Sequence, residues 1–526
     1  MNILEIDNLS IYFNINKENQ ILAASNISFS LSKGETLSIV GESGSGKSII
    51  GLSIMKLLPY PLAGHGSESK IIFKGEDILQ KSKSQMRKLR GKKISMVFQE
   101  PMTSLNPFLK CGEQIEESIF FSSETLDKKN QVIELLEEVE FEDPEKIFNS
   151  YPHQISGGQR QRVMIAMAIA NEPDLLIADE PTTALDVSTQ QSLLVLLRKI
   201  QKKMGMSIIF ISHDLNIVKK ISDRVLVMQK GEIKEENSMN EIFQNPKDPY
   251  TERLINSSPE PKKGTVNLND EILKVSALDL TYSKKDFIGR KSYFSALKNI
   301  NLTVKKNSAL GLVGESGSGK SSLARSILGI EKFSGEIIFN NKNISKYNNS
   351  EKKHFKKNCQ LVFQDPFSSL SPRQKIFDIV KEGLDIHESS LTFLQKKEKV
   401  LKVLEEVKMN ESCLAKFPHE FSGGQRQRIA LAKVLILEPE FLILDEPTSA
   451  LDISIQKEII NLLLDLQSKR GLSYLLISHD LKVINAIADE IVVLKSGKIV
   501  EQGKRDEIFY NANEPYTKSL IQAAYS

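Results

Sequence analysis

The stretch GESGSGKS occurs twice in this chain of 526 residues, first from Gly41 to Ser48 and again from Gly314 to Ser321. The run ETLSIV ahead of the first copy has the β-rich apolar character of a buried strand. The run after it has apolar spacing suited to a helix that stops before Pro59. The sequence therefore predicts a glycine-rich turn that joins a strand to a helix.

Such a turn is suited to binding phosphate. The glycines let backbone N–H groups approach phosphate oxygens, the lysine neutralises phosphate charge, and the last serine hydroxyl can ligate Mg²⁺. The residues assigned to this role are Gly41, Ser43, Gly44, Gly46, Lys47 and Ser48 in the first copy and Gly314, Ser316, Gly317, Gly319, Lys320 and Ser321 in the second.

Other motifs repeat in the same order, each displaced by 265 or 266 residues. They are an FQ pair (Gln99, Gln364), SGGQRQR (from Ser156 and Ser422), an Asp-Glu pair (Asp179–Glu180, Asp445–Glu446) and an ISHD motif (His213, His479). The glycine loop moves by 273 residues instead, which places extra residues in the first half, in the segment 57–69. We therefore predict two large α/β domains, 1–257 and 271–526, joined by a short polar linker, 258–270.

Two carboxylates end an apolar strand in each half. LLIADE brings Asp179 and Glu180 to the end of one strand, and LILDEP does the same for Asp445 and Glu446. The aspartate can hold Mg²⁺ through water, and the glutamate, which points elsewhere, can polarise an attacking water.

SGGQRQR precedes an apolar helical run in both halves. Ser156 and Ser422 are therefore expected at helix N-termini, where free N–H groups favour an anion. Each half would then carry two phosphate-binding surfaces. A single γ-phosphate needs only one of them, so the second surface is explained if it serves a nucleotide held by another half. His153 and His419, just before the motif, repeat without a chemical role that we can derive.

This set of motifs resembles the nucleotide-binding domain of ATP-binding-cassette (ABC) proteins over nearly the whole chain, and SGGQ is its most specific element. The resemblance implies two tandem domains, each a RecA-like P-loop core with an antiparallel β subdomain and an α-helical signature subdomain. It also implies two ATP molecules, with Mg²⁺, sandwiched head to tail between the domains.

Carried over by motif, the resemblance implies two composite sites. One would join Gly41 to Ser48, Gln99, Asp179, Glu180 and His213 with Ser422, Gly423 and Gly424. The other would join Gly314 to Ser321, Gln364, Asp445, Glu446 and His479 with Ser156, Gly157 and Gly158.

Gln99 and Gln364 would take part in catalysis and in Mg²⁺ binding, and both histidines would contact the γ-phosphate. Phe13 and Tyr282 match the adenine-stacking aromatic, and Asp186 and Asp452 end the D-loops. Because both halves keep every catalytic residue, we expect two hydrolytically competent sites.

Composition excludes several classes of protein. Hydrophobic residues make up 40% and charged residues 26%, no run approaches the length of a membrane span, and the N-terminus lacks a signal-peptide pattern. We therefore expect a cytoplasmic protein. A net charge of +3 gives no drive toward nucleic acid, and three scattered cysteines predict neither disulfides nor a metal cluster.

The segments that begin with each FQ pair, 98–107 and 363–372, and the EIF…PYT tails at Glu241 and Glu507 are similar to ATP-binding subunits of dipeptide, oligopeptide and nickel importers. The fused arrangement most resembles Yej-type microcin C and peptide importers, or glutathione importers. This resemblance implies peripheral attachment to the inner membrane, two permease subunits as partners and, indirectly, an extracytoplasmic binding protein. Some relatives carry a Cys-rich iron–sulfur extension, but no cysteine follows Cys413, so we expect no cluster.

Two other classes remain open. A cytoplasmic tandem ABC translation factor would also lack membrane segments, but the short polar linker differs from the long charged helical linker of such factors. A DNA-repair cassette would be interrupted by zinc modules or coiled coils, for which the sequence offers no insertion.

Overall fold

The computed structural model describes the whole chain except residues 15–19, 99–103, 120–127, 184, 258, 263–269, 286–290, 366–368, 450 and 526. Contacts divide it into two compact units, one comprising Met1–Leu185 and Thr189–Ser257 and the other Asp186–Ser188 and Ser258–Ser526. Among the helices of the described residues, none combines the length and apolar character needed to cross a bilayer.

The first unit contains two sheets. Its strands are β1 (Asn2–Asn14), β2 (Gln20–Ser32), β3 (Thr36–Val40), β4 (Ala63–His65), β5 (Lys70–Phe73), β6 (Glu76–Asp77), β7 (Ile94–Val97), β8 (Leu175–Asp179), β9 (Ser207–Ser212), β10 (Arg224–Gln229) and β11 (Glu232–Ser238). Five strands form an antiparallel sheet in the order β2-β1-β5-β6, with β4 also paired to β1. The other six follow the order β11-β10-β3-β9-β8-β7, parallel except for β11.

Helices cover both faces of the parallel sheet. Those of the first half of the chain are Lys47–Ile54, Lys83–Leu89, Cys111–Ser118, Lys128–Glu138, Pro144–Phe148, Gly157–Ile169, Val187–Met204, Leu215–Ile221, Met239–Gln244 and Pro249–Ile255. Because successive side chains of a strand point to opposite faces, Ile208 and Phe210 of β9 pack in one core while Ile209 and Ile211 pack in another. This double burial explains the near-continuous apolar strands of the sequence.

The second unit repeats this architecture. Its strands are β12 (Glu271–Lys285), β13 (Lys291–Lys305), β14 (Ala309–Val313), β15 (Ser334–Phe339), β16 (Lys342–Asn343), β17 (Cys359–Val362), β18 (Phe441–Asp445), β19 (Ser473–Ile477), β20 (Glu490–Lys495) and β21 (Lys498–Lys504). Its sheets have the orders β13-β12-β15-β16 and β17-β18-β19-β14-β20-β21. Its helices are Lys320–Ile327, Asn349–Asn358, Ile376–His387, Phe393–Glu406, Gly423–Leu435, Ile453–Arg470, Leu481–Ile487, Arg505–Asn511 and Pro515–Tyr525.

The predicted α/β class and the strand–turn–helix at the glycine loop are confirmed, with two differences in detail. The first helix ends at Ile54, before the end of the apolar run that predicted it. The segment 57–69 contains strand β4, which the sequence did not predict and which pairs with β1 opposite Phe13. Within the predicted linker, Lys262 forms an ion pair with buried Asp489 at 2.8 Å.

Candidate functional site

The carboxyl ends of neighbouring parallel strands bring the predicted chemistry to one edge of each sheet. In the first unit, Gly41 follows β3, Asp179 ends β8, and His213 follows β9, which lies between them. Loops at the carboxyl edge of such a sheet are the usual place for a ligand.

The glycine loop of the first unit has a backbone that side chains would obstruct. Gly46 caps the helix that begins at Lys47 with φ +97°, and a Cβ there would lie 2.7 Å from the carbonyl oxygen of Ala23. A Cβ on Gly41, whose φ is +152°, would lie 2.1 Å from the carbonyl oxygen of Met228. Both positions therefore require glycine.

The lysine of each loop is buried inside the turn. Lys47 is 5% exposed, and its Nζ donates hydrogen bonds to the carbonyl oxygens of Gly41 and Glu42, each at 2.8 Å. Lys320 makes the equivalent bonds in the second unit, at 2.7 and 2.9 Å. Burial lowers the pKa of Lys320, against the nearby carboxylates that raise it. The loop therefore holds a buried positive charge where a phosphate would lie.

The serine that ends each loop contacts the strand-end aspartate. Ser48 Oγ donates to Asp179 Oδ1 at 2.9 Å, and Ser321 hydrogen-bonds Asp445. Burial, together with the charge of Glu180, raises the pKa of Asp179 to about 6, against the effects of Ser48 and Lys47. A hydroxyl and a carboxylate are the hard oxygen ligands that Mg²⁺ takes, and a cation would offset the cost of the buried charge. These residues fit Mg²⁺.

Glu180 adopts an unusual backbone conformation for a residue with a side chain. Its φ is +46°, and its N–H donates to the carbonyl oxygen of Ile211 at 2.9 Å. Its Oε1 lies 3.1 Å from His213 Nδ1, and its Oε2 accepts from the hydroxyl of Thr183 at 3.0 Å. A left-handed backbone at such a position costs about 1–3 kcal/mol and is concentrated at functional sites.

The contacts of Glu180 keep it ionised. Burial acts to raise the pKa of this carboxyl, but the hydrogen bond and charge of His213, with Thr183 and Lys47, hold it at about 2. The carboxylate therefore carries its charge throughout the physiological pH range.

Glu446 reproduces this conformation, and the hydroxyl beside it makes a different contact. Its φ is +47°, and His479 Nδ1 lies 3.0 Å from Oε1. Gln364 Nε2 donates to Oε2 at 2.7 Å, whereas Ser449 donates to the backbone carbonyl of Glu446. Burial opposes ionisation, but His479 and the other donors lower the pKa of Glu446. Burial also acts to lower the pKa of His479, but Glu446 raises it. Gln99, the first-half equivalent of Gln364, lies outside the described residues.

Ser156 and Ser422 lie where the sequence placed them, at helix N-termini. Each accepts the N–H of a glutamine three residues later, Gln159 or Gln425, which completes a capping box. The second glycine of each motif is closely packed: a Cβ on Gly158 would lie 2.4 Å from the Cγ2 of Thr189. A Cβ on Gly424 would likewise lie 2.3 Å from the Cγ2 of Ile455. The serine helix packs in a core separate from that of the glycine-loop helix.

The predicted adenine-stacking aromatics lie on the antiparallel sheets. Phe13 is half-buried in β1 and paired with Ala63 of β4 and Ile21 of β2. Tyr282, in β12, hydrogen-bonds the hydroxyl of Ser322 at 3.4 Å, beside the second glycine loop. Of the D-loop residues, Asp186 accepts from the Ser188 hydroxyl and Asp452 is the N-cap residue of a helix.

Sequence reasoning left two repeated features without a structural role. His153 and His419 stack on the rings of Tyr151 and Phe417, with centroids 5.6 and 5.7 Å apart, so their repetition has a packing explanation. Tyr250 and Tyr516 accept hydrogen bonds from the backbone of the glycine loops. The signal for these tyrosines was the PYT motif in both tails.

Comparison with known proteins identifies the family. The model of the family described as "ABC transporter" matches residues 24–183 and 297–449. The chain belongs to this family. A second model, "Oligopeptide/dipeptide transporter, C-terminal region", matches residues 235–290 and 500–526. As an ABC transporter ATP-binding protein with two cassettes, the chain is an ATPase.

Its curated relatives are aligned over almost their whole length. The chain is 44% identical to "Peptidoglycan transport ATP-binding protein YejF" of Agrobacterium fabrum, covering 100% of this chain and 96% of the relative. It is 42% identical to "Uncharacterized ABC transporter ATP-binding protein YejF" of Escherichia coli K12, covering 99% of each. It is 41% identical to "Glutathione import ATP-binding protein GsiA" of Shigella dysenteriae, covering 99% of this chain and 89% of the relative.

Proposed function

We propose that this chain is the ATP-hydrolysing subunit of an importer for short peptides. The observation that carries the proposal is the match of both tails to the C-terminal region of oligopeptide and dipeptide transporters, in a chain whose sequence repeats the predicted catalytic residues in both halves. The relatives named for peptidoglycan transport and glutathione import support the same class of cargo. We assign 1–257 and 271–526 to the two domains, with the linker between them.

In each half, the glycine loop would bind the β- and γ-phosphates through its backbone N–H groups and its buried lysine. The Ser48–Asp179 and Ser321–Asp445 pairs would hold Mg²⁺, together with Gln99 or Gln364. Bound Mg²⁺ supplies positive charge against the phosphate oxygens. The residues of this chain would position the phosphate oxygens. They would also keep the nearby carboxylates paired with cations or hydrogen-bond donors.

The strand-end glutamates would orient the attacking water. A carboxylate with a pKa of about 2, as at Glu180, is a weak proton acceptor at neutral pH. It is, however, charged at neutral pH, and its backbone and its histidine fix its direction. We therefore assign Glu180 and Glu446 to accepting a hydrogen bond from water in line with the γ-phosphate, with most of the rate coming from positioning. His213 and His479 would hold these carboxylates and contact the phosphate.

The two sites would be composite. Ser156, Gly157 and Gly158 of the first half would face the nucleotide on the second glycine loop, and Ser422, Gly423 and Gly424 would face that on the first. Helix N-termini favour a negative phosphate, which supports an anion-binding role for these serines and glycines. Phe13 and Tyr282 would stack on the adenines.

Two membrane permease subunits would receive the work of ATP hydrolysis, with the chain bound peripherally to the cytoplasmic face of the inner membrane. An extracytoplasmic binding protein would select the cargo. Glutathione is the second candidate cargo, because relatives 41% identical carry that name.

The test is to trap the ATP-bound chain and identify its partners. The Glu180→Gln/Glu446→Gln chain, purified with ATP from detergent-solubilised cells of its source, should retain two integral-membrane permease subunits. A chain with Gln at the exposed Glu134 and Glu398 is the matched control, because it loses the same two charges outside the sites. Recovery of ribosomes without membrane proteins would overturn the importer in favour of a translation factor.

Uptake by cells that lack this chain then separates the cargoes. Radiolabelled di- and oligopeptides should enter only when the wild-type chain is restored. Uptake of glutathione alone would replace peptides with glutathione as the cargo.

A further inference from the structure

The first peptide group of each glycine loop is held from both sides. The carbonyl of Gly41 accepts from Lys47 Nζ at 2.8 Å, and the N–H of the same peptide group, on Glu42, donates to the hydroxyl of Tyr250 at 3.2 Å. Because a trans peptide group is planar, its C=O and N–H point in opposite directions. The two contacts together therefore fix the rotation of this peptide group.

The second unit repeats the arrangement with different surroundings. The N–H of Glu315 donates to the hydroxyl of Tyr516 at 3.2 Å, and the carbonyl of Gly314 accepts from Lys320 at 2.7 Å. Lys495 Nζ lies 4.4 Å from the centre of the Tyr516 ring, a cation–π contact. At the equivalent position the first half has Gln229. The hydroxyl contact therefore recurs although the residues around the ring differ.

The tyrosine of the first unit is itself firmly placed. Tyr250 lies in the helix Pro249–Ile255 and is 5% exposed, and its N–H is capped by the carboxylate of Asp248 at 2.7 Å. The carboxylate of Glu235, on β11, accepts the N–H groups of Lys247 and Asp248, each at 3.0 Å. The tail is thereby attached to the edge of the sheet, which fixes the position of the hydroxyl.

The tail of the second unit is attached in the same way. The carboxylate of Glu501, on β21, accepts the N–H groups of Asn513 at 2.7 Å and Glu514 at 3.3 Å. The helix Pro515–Tyr525 then carries Tyr516 to the loop. Two tails with different sequences therefore deliver one hydroxyl to the same atom of the loop.

We propose that Tyr250 and Tyr516 are positioning residues for nucleotide binding, acting through the loop lysines. Each hydroxyl fixes the first peptide group of its loop. The carbonyl of that peptide group orients the lysine ammonium, so the hydroxyl also holds the lysine in position. The inference rests on the proposed phosphate-binding role of the loops and adds a task for the C-terminal segments, 235–290 and 500–526, that the peptide-transporter model matches.

The test removes only the two hydroxyl groups. In full-length chains carrying Tyr250→Phe and Tyr516→Phe, singly and together, loss of one hydrogen bond per loop should weaken ADP binding about two- to tenfold by calorimetry. The KM for ATP should rise by a similar factor while kcat at saturating ATP changes little, because the catalytic carboxylates are untouched.

The matched control is Tyr347→Phe. The hydroxyl of Tyr347 contacts the backbone carbonyls of Phe339 and Lys342, at 3.1 and 3.3 Å, so this variant loses a tyrosine hydroxyl that is hydrogen-bonded to the backbone away from the loop. It should leave the Kd of ADP unchanged. Thermal unfolding of every variant shows how much stability each hydroxyl contributes apart from binding.

The Lys47→Ala/Lys320→Ala chain separates the two possible failures. If this chain binds ADP as tightly as the wild type, the loops are not the nucleotide sites and the proposed function fails with the inference. If it loses ADP binding while the Tyr→Phe chains bind ADP like the wild type, only the inference is overturned. A lowered melting temperature with an unchanged Kd for the Tyr→Phe chains also overturns it, since the tyrosines would then be structural alone.

Discussion

Replacing His213 with alanine should make ATP hydrolysis at the first glutamate sensitive to mild acid. Burial acts to raise the pKa of Glu180, and the hydrogen bond and charge of His213 are the largest influences that lower it to about 2. The difference from the ordinary value of about 4.5 corresponds to about 3 kcal/mol in favour of the charged form. Without the imidazole, burial is opposed by the remaining partners, Thr183 and Lys47 among them, so we expect the pKa of Glu180 to rise from about 2 towards its ordinary value of 4.5.

The sign of the effect follows from the direction of the shift. A depressed pKa means that the carboxylate stabilises the wild-type fold above about pH 4.5, and that this contribution is lost as the pH falls towards about 2. In the His213→Ala chain, protonation begins at higher pH. The rate that depends on the charged carboxylate should therefore fall as the pH drops below about 5, where the wild-type carboxylate stays charged.

The assay is kcat against pH in a Glu446→Gln background, so that only Glu180 supports hydrolysis. The acid limb of the His213→Ala profile should lie at clearly higher pH than that of the background chain. His153→Ala is the control, because this histidine stacks on Tyr151. A lower kcat alone is not diagnostic, since His213 is also assigned to the phosphate. Superimposable acid limbs would refute the explanation of the Glu180 pKa.

Three further results are expected. Glu180→Gln or Glu446→Gln alone should leave partial ATPase activity, and the two together should lower kcat at least about 10²-fold; the prediction of two hydrolytically competent sites fails if one change abolishes turnover and the other is silent. Gly41→Ala places a Cβ 2.1 Å from the carbonyl of Met228, so ATP binding to the first loop should be lost, as filter binding in a Lys320→Ala chain would detect. Ser48→Ala should raise the Mg²⁺ concentration needed for half-maximal ATPase several-fold, and an unchanged Mg²⁺ titration would contradict the assignment of this hydroxyl.

Much of the site could be predicted because its signals are local. Glycine spacing and apolar flanks predicted the strand–turn–helix at Gly41, and the S-x-x-Q spacing from Ser156 to Gln159 is that of a capping box. Parallel strands of one sheet end at a common edge, which accounts for the meeting of Asp179, Glu180 and His213.

What the sequence did not predict depends on contacts between distant residues. Strand β4 forms because its backbone completes hydrogen bonds with β1, some 50 residues earlier in the chain, and its own composition gives no strand signal. The bond from Glu42 to Tyr250 joins residues 208 positions apart. The left-handed backbone conformation of Glu180 could not be predicted either, because no residue type in the sequence signals it.

The two halves share the charged groups of the site more closely than the neutral side chains that hydrogen-bond those groups. Each half keeps the lysine enclosed by its loop, the serine–aspartate pair, and the glutamate at positive φ against its histidine. One neutral support differs: the hydroxyl of Thr183 bonds the carboxylate of Glu180, whereas that of the equivalent Ser449 bonds the backbone carbonyl of Glu446. A single neutral hydrogen bond contributes about 1 kcal/mol, but an uncompensated buried charge costs several. Substitutions that change a neutral support are therefore tolerated, whereas loss of a charged partner would remove ionisation and with it the chemistry.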